Sequence, residues 1–166
     1  MMIQLIAILA PLMTGYVTIE KPLEPNSVIV AERYIQSMVG KRIDYDNSYG
    51  YQCVDWAQKY ISNIHSKNIR QIWTARNWWK KWIWFEWWIR KKPGINTLPP
   101  KLGDIIFMDI SGHTKWHVGV VVSATNEYVR VSEQNWWDGK ANGRGKNAIS
   151  VHKRYYNVVL WWFTKQ

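Results

Sequence analysis

The stretch His117-Val118-Gly119-Val120-Val121-Val122-Ser123, followed after Ala124 to Glu127 by Tyr128-Val129-Arg130-Val131-Ser132-Glu133-Gln134-Asn135, decides the fold. Both runs are rich in β-formers, and the connection has hairpin length, so the sequence predicts two antiparallel strands. Asp104 to Asp109, apolar inside, adds a strand before the hairpin; Ala148 to Lys153 and Asn157 to Thr164 add two after it. Asp138 to Asn147, with Lys140, Arg144 and Lys146, reads as a Gly/Asn loop, and Pro93 to Gly103 as a turn-rich connection. Ahead of the strands the periodicity is helical. Val30, Ala31, Tyr34, Ile35, Met38 and Val39 share one side of a segment capped by Ser27 and stopped by Gly40. Val54, Ala57, Tyr60 and Ile61 mark a second helix that starts near Cys53 and runs toward Ser62, leaving His65 past its end without a role. Helices first and an antiparallel sheet afterwards make an α+β fold, with the N-terminal helices packed on the sheet.

The chain of 166 residues is read as one domain over 27–166, preceded by an apolar segment and linker over 1–26. Met1 to Met13 is too short to span a bilayer and lacks a basic residue ahead of its apolar core; a signal sequence, a strand or an assembly contact are its readings. Pro11, Pro22 and Pro25 punctuate the approach to the first helix, and between them Tyr16 to Glu20 alternates as a short strand. From Trp73 to Trp88 there are seven tryptophans among Lys80, Lys81, Glu86 and Arg90. The segment is helical in length, with Trp78, Trp82, Phe85 and Ile89 on one buried stripe. Trp79, Trp84, Trp87 and Trp88 lie partly off it, able to stack on sugars, meet a membrane interface or cover a neighbour.

With 22 Lys and Arg against 12 Asp and Glu, the net charge of +10 favours polyanionic partners. The basic residues are dispersed between aromatics and the chain has no nucleic-acid motif, which argues against nucleic acid and leaves anionic lipid or anionic wall polymers. A single cysteine excludes an intramolecular disulfide and the common zinc frameworks.

That cysteine lies in Asp44-Tyr45-Asp46-Asn47-Ser48-Tyr49-Gly50-Tyr51-Gln52-Cys53-Val54-Asp55. Asp44, Asp46, Ser48, the Gly50 carbonyl and Asp55 fall at positions 1, 3, 5, 7 and 12 of an EF-hand-type calcium loop. Position six is Tyr49 in place of glycine, and position twelve is an aspartate in place of a bidentate glutamate. The expected calcium affinity is therefore weak, about 0.1 to 1 mM. Cys53, at a helix start, gains from unpaired backbone N–H groups that favour a thiolate. A thiol nucleophile needs a histidine base and a polar group to orient it. His117 opens a strand from whose end its ring can reach toward Cys53. Glu133 and Asn135, two apart, are placed on one strand face, either of them able to hold the Nδ1 proton of His117. Gln134 is then turned to the opposite face. His113 is read as no ligand, and His152 as a solvated strand residue.

Tyr-Gly-Tyr-Gln-Cys-Val-Asp (49–55), Gly-Asp-Ile-Ile-Phe (103–107), His-Val-Gly-Val-Val (117–121) and Glu-Gln-Asn (133–135), in this order, resemble the CHAP family of cysteine- and histidine-dependent amidohydrolases and peptidases. The resemblance spans about Ser27 to Phe163, including the closing Lys-Arg-Tyr-Tyr-Asn-Val-Val-Leu-Trp-Trp run. It implies a papain-like fold and hydrolysis of peptidoglycan amide bonds, as in phage lysins and secreted wall hydrolases. By position it implies Cys53 as nucleophile, His117 as general base, and Glu133 and Asn135 as orienting or polarising groups. It implies structural calcium at Asp44, Asp46, Ser48, Gly50 and Asp55. The family cuts both the N-acetylmuramoyl-L-alanine bond and bonds within the stem peptide or cross-bridge, and the sequence does not choose. Two other functions compete: a phage tail-tip component that docks on tail proteins, and a membrane-active basic, Trp-rich protein. Expected partners are peptidoglycan and anionic wall polymers or lipopolysaccharide. The expected place of action is the bacterial wall, reached by a phage or a secretion route.

Overall fold

The structure, a computed structural model, describes residues 25–67, 74–80, 88–94, 97–109, 116–135 and 147–165. Among the described residues, three α-helices, α1 (Pro25–Met38), α2 (Cys53–His65) and α3 (Ala75–Lys80), precede six strands. The strands are β1 (Trp88–Lys91), β2 (Ile105–Met108), β3 (His117–Ala124), β4 (Tyr128–Glu133), β5 (Ser150–Tyr155) and β6 (Val159–Lys165). They form one antiparallel sheet in the order β1-β6-β2-β3-β4-β5. The α+β expectation therefore holds, with β3 and β4 as the hairpin.

α1 begins two residues before the expected Ser27 cap, because Pro25 fits a first helical turn, where its missing N–H loses no bond. Gly40, at φ +83°, ends it, and the Gly40 N–H turns to the Ile149 carbonyl at 2.8 Å. Ala31, Ile35 and Met38 from α1 and Val54, Trp56, Ala57, Tyr60 and Ile61 from α2 pack on Ile105, Phe107, Val118, Val120 and Phe163 of the sheet. A second cluster, Ile106, Met108, Val121, Val129, Val131, Val159 and Trp162, lies apart from the first. β2 sends alternate side chains into the two clusters, so all four of its residues are buried and it reads as an unbroken apolar run.

The tryptophan-rich segment departs from the single helix expected. Its described parts are the short α3 and the edge strand β1, where Trp88 and Ile89 fall on opposite faces, Trp88 buried and Ile89 exposed. Trp78 is buried as expected and meets Phe107 edge-on at 5.8 Å. Trp73, Trp82, Trp84, Phe85, Trp87 and the side chain of Trp79 lie outside the described residues. So do 1–24, His113 and the loop up to Lys146. His65 is the last residue of α2, not beyond it. It packs edge-on against Tyr60 and Trp88, and burial, followed by Lys165, lowers its pKa to about 4, which makes it a neutral, half-buried histidine.

Asp104, 4% exposed at the entrance to β2, accepts the Lys101 N–H and the Thr164 hydroxyl on one carboxylate oxygen. Burial outweighs those bonds and raises its pKa to about 7. The folded state keeps this proton up to about pH 7, whereas the unfolded chain releases it near the ordinary 3.8. Folding stability contributed here is thus full below pH 4 and lost as pH rises through 7. Asp104→Asn keeps an acceptor oxygen without the charge. Its thermal midpoint should fall less than that of the wild type between about pH 4 and 8; parallel midpoint curves would show that Asp104 does not titrate in this way.

Candidate active site

Cys53 is the first residue of α2, half-buried, and its sulfur is a free thiol. The helix start is fixed by Asp55, whose carboxylate accepts the Gln52 N–H at 2.7 Å, and by Trp56, whose indole N–H donates to the Ser132 carbonyl of β4 at 3.1 Å. The second bond carries α2 to the strand end that holds Glu133. His117 opens β3, and its ring interacts with the Cys53 side chain on one side and with Glu133 on the other.

The imidazole is oriented opposite to the expectation. His117 Nε2, not Nδ1, makes a 2.7 Å ion-pair contact with Glu133 Oε2, which leaves Nδ1 as the nitrogen for the thiol. Burial works against a charged ring, but the Cys53 and Glu133 side chains outweigh it and raise the pKa of His117 to about 10. Glu133 is fully buried and its other oxygen, Oε1, receives Arg154 through Nε at 2.9 Å and Nη2 at 2.7 Å. A line therefore runs Cys53, His117, Glu133, Arg154, alternating in the sign its members carry when the thiol is ionised.

Sequence reasoning alone does not single out Arg154, which stands within the closing run. It sits on β5 opposite Val129, and it reaches Glu133 because Val129, Val131 and Glu133 are on the same face of β4. Asn135 is not on that face. β4 ends at Glu133, and Asn135 takes a left-handed φ of +58° with its N–H on the Asn147 carbonyl, so the two-residue spacing argument fails there. Gln134, turned away from its neighbours, is fully buried and bonded to Ile43 and to Gln52, the residue before Cys53. His152, half-buried, pairs with the Ser150 hydroxyl at 2.7 Å instead of being solvated.

Gly119 makes the histidine–glutamate contact possible. It stands opposite Glu133, one step from the Val120–Ser132 pair, and a Cβ there would lie 2.4 Å from a Val131 methyl carbon and 3.3 Å from Glu133 Cβ. Gly119→Ala should cost about 1 to 3 kcal/mol in urea unfolding through overpacking, and should lower activity by pushing Glu133 from His117. Unchanged stability would show that the hairpin gives way freely.

In the adjoining loop, one carboxylate oxygen from each of Asp44, Asp46 and Asp55 falls within 4.8 Å of the others. Ser48 joins through its backbone N–H, which donates to Asp44 at 3.1 Å and Asp46 at 2.9 Å. Tyr49, where an EF-hand loop has glycine, takes φ +64°, and Gly50 follows at +73°, so the chain turns here despite the tyrosine side chain. Asp55 is almost fully buried, and burial together with repulsion from Asp46 and Asp44 raises its pKa to about 7. Three converging carboxylates, one of them buried, make a donor set that fits a hard divalent cation. Asp55 accepts the Gln52 N–H on Oδ2 and also takes a backbone hydrogen bond from Tyr45.

The CHAP domain family model matches residues 44–135. The endolysin PlyTW of Staphylococcus phage Twort is 31% identical over 69% of this chain, and the probable autolysin PH of Staphylococcus aureus is 27% identical over 79%. The chain spans 24% and 28% of the length of these two relatives. Among solved structures, the endolysin LysIME-EF1 superposes over 83% of this chain and 63% of its own, with a TM-score of 0.59 at 15% identity. Ly7917, solved with the hydrolyzing product of MDP, superposes with a TM-score of 0.55 at 18% identity, over 83% of this chain and 62% of its own. The family model covers the candidate nucleophile, histidine and glutamate together with the carboxylate loop, and the chain belongs to the CHAP domain family.

Proposed function

We propose that this chain is a peptidoglycan hydrolase of phage or secreted bacterial type, cleaving wall amide bonds with Cys53 and His117. The observation that carries the reading is the buried contact of His117 with Glu133 beside the only cysteine. Related endolysin and autolysin names support the wall as the place of action.

His117 holds its proton at neutral pH as an imidazolium beside the Cys53 side chain, and the attacking species is the Cys53 thiolate. Cys53 Sγ attacks the amide carbonyl carbon, and the oxyanion that forms is met by the Cys53 backbone N–H at the helix start. The C–N bond breaks as His117 delivers its proton to the leaving amine. Water then attacks the thioester carbonyl as His117 takes a proton from it, the C–S bond breaks, the new carboxyl end departs, and the Cys53 thiolate is restored beside the protonated His117. Glu133 keeps the ring in the orientation that aims Nδ1 at sulfur, and Arg154 holds Glu133. Asp44, Asp46 and Asp55, with Ser48 and the Gly50 carbonyl, would hold calcium. Bound there, the ion supplies charge neutralisation that pins Asp55 and with it the start of α2.

Chelation with EGTA should lower the thermal midpoint and the rate of fragment release together, and added calcium should restore both. At about 10 mM calcium and the expected weak affinity, the stabilisation is about 2 kcal/mol. Full activity and an unmoved midpoint in EGTA would remove calcium from the account. Anionic wall polymers are a second class of partner. Lys153, with its Nζ 4.1 Å and 5.1 Å from the ring centres of Tyr128 and Tyr155, and its cross-strand neighbour Arg130 form an exposed basic, aromatic surface for them.

The test is mass spectrometry of fragments released from several purified peptidoglycans in the presence of calcium. New amino and carboxyl ends identify the bond as N-acetylmuramoyl-L-alanine, stem peptide or cross-bridge. Release by none of the walls would reject the hydrolase reading.

A further inference from the structure

We infer that Gln134 is the positioning residue that sets the Cys53 thiol against His117. Its side chain is fully buried at the end of β4, between Glu133 and Asn135 in the chain. Oε1 accepts the Ile43 N–H at 2.7 Å, and Nε2 donates to the Ile43 carbonyl at 2.7 Å and to the Gln52 carbonyl at 2.8 Å. Both amide hydrogens and the amide oxygen are thus committed to backbone.

The two segments it holds are the ones the chemistry needs. Gln52 immediately precedes Cys53, and Ile43 immediately precedes Asp44, where the carboxylate loop starts. The neighbour of Gln134 on the other side, Glu133, holds His117. One side chain therefore joins the segment that carries the nucleophile to the strand that carries the partner of the base. It does so with a two-way amide bridge to Ile43 that imitates a rung of a sheet ladder.

Separate bonds hold the same layers together elsewhere. Trp56 donates to the Ser132 carbonyl, and Lys41 and Gly40 exchange backbone bonds with Ile149. Loss of the Gln134 bridge should therefore leave a folded protein with a displaced thiol, which is the signature of positioning.

The inference rests on the hydrolase reading for turnover, but not for thiol reactivity, and the experiment reads both. Gln134→Met keeps the length and removes the amide; Gln134→Glu keeps the acceptor for Ile43 and removes both donors. Val159→Ala, in the second apolar cluster, serves as a variant destabilised away from the thiol. Cys53 is alkylated with iodoacetamide at pH 7, and kcat and KM are measured on soluble stem-peptide fragments. Both Gln134 variants should slow alkylation about tenfold, as a thiol less well matched to its imidazole would. They should lower kcat about 100-fold through misplacement of the reacting groups, with KM held. Val159→Ala should leave all three values at wild type below its midpoint. Wild-type alkylation in the Gln134 variants, or an equal loss in Val159→Ala, overturns the inference. Slowed alkylation in a protein whose wild type releases nothing from any wall upholds the positioning and rejects the hydrolase reading instead.

Discussion

Cys53→Ala is expected to end fragment release from peptidoglycan, by about 10⁶-fold in kcat, the scale seen when the nucleophile of a triad is removed. The sulfur is the nucleophile proposed for the covalent intermediate: the chain has no second cysteine, and His117 is held at Nε2 by Glu133. Stability should change by less than about 1 kcal/mol, because one half-buried sulfur atom is removed from a helix whose start is fixed by Asp55 and Trp56. A further sign separates this variant from general damage. Cys53 contributes to the raised pKa of His117, so in Cys53→Ala the His117 ring, followed by NMR, should titrate at lower pH than in the wild type. Residual release above the level of a wall-only blank would move the chemistry away from Cys53.

Glu133→Gln should cost both activity and stability. The buried carboxylate faces two cations, the imidazolium at 2.7 Å on Oε2 and the Arg154 guanidinium on Oε1. A carboxamide offers one oxygen, so its NH2 must turn toward either His117 or Arg154, and a buried charge is left uncompensated. About 3 kcal/mol in urea unfolding is the expected loss, with kcat down about 10²- to 10⁴-fold as the ring loses its orientation and the stabilisation of its proton. Glu133→Gln/Arg154→Met tests the division between these effects. Removing the second charge should return most of the stability and none of the activity. A double variant that recovers turnover would make Glu133 a structural partner of Arg154 alone.

Why some of this is legible in the sequence and some not comes down to the range of each interaction. The β3–β4 hairpin, α2 and the company of Cys53 with His117 and Glu133 are local patterns or short blocks, and the sequence displays them directly. The Trp73 to Trp88 segment misleads because aromatic residues serve a helix and a strand equally; pairing with β6 makes Trp88 to Lys91 a strand. Arg154 depends on the register of β4 against β5 across an intervening loop, which no periodicity reports. Asn135 is misplaced by a period-two pattern that runs two residues past Glu133, where the backbone turns left-handed at Asn135. The choice of Nε2 over Nδ1 is a matter of ring orientation, which a sequence does not display.

The strand order has a consequence for timing. β6 lies between β1 and β2, although it comes after every other strand in the chain. A nascent chain that has not yet delivered residues 159–165 has no strand to join β1 to the sheet, and the outer edge of β2 has no ladder to close it. Sheet completion must wait for a contact between strands far apart in the chain, a slow step for folding. During synthesis the thiol and its histidine can both be outside the ribosome while the sheet that displays the histidine is still open. The producing cell therefore meets the finished site only after this segment has emerged, a delay written into the topology itself.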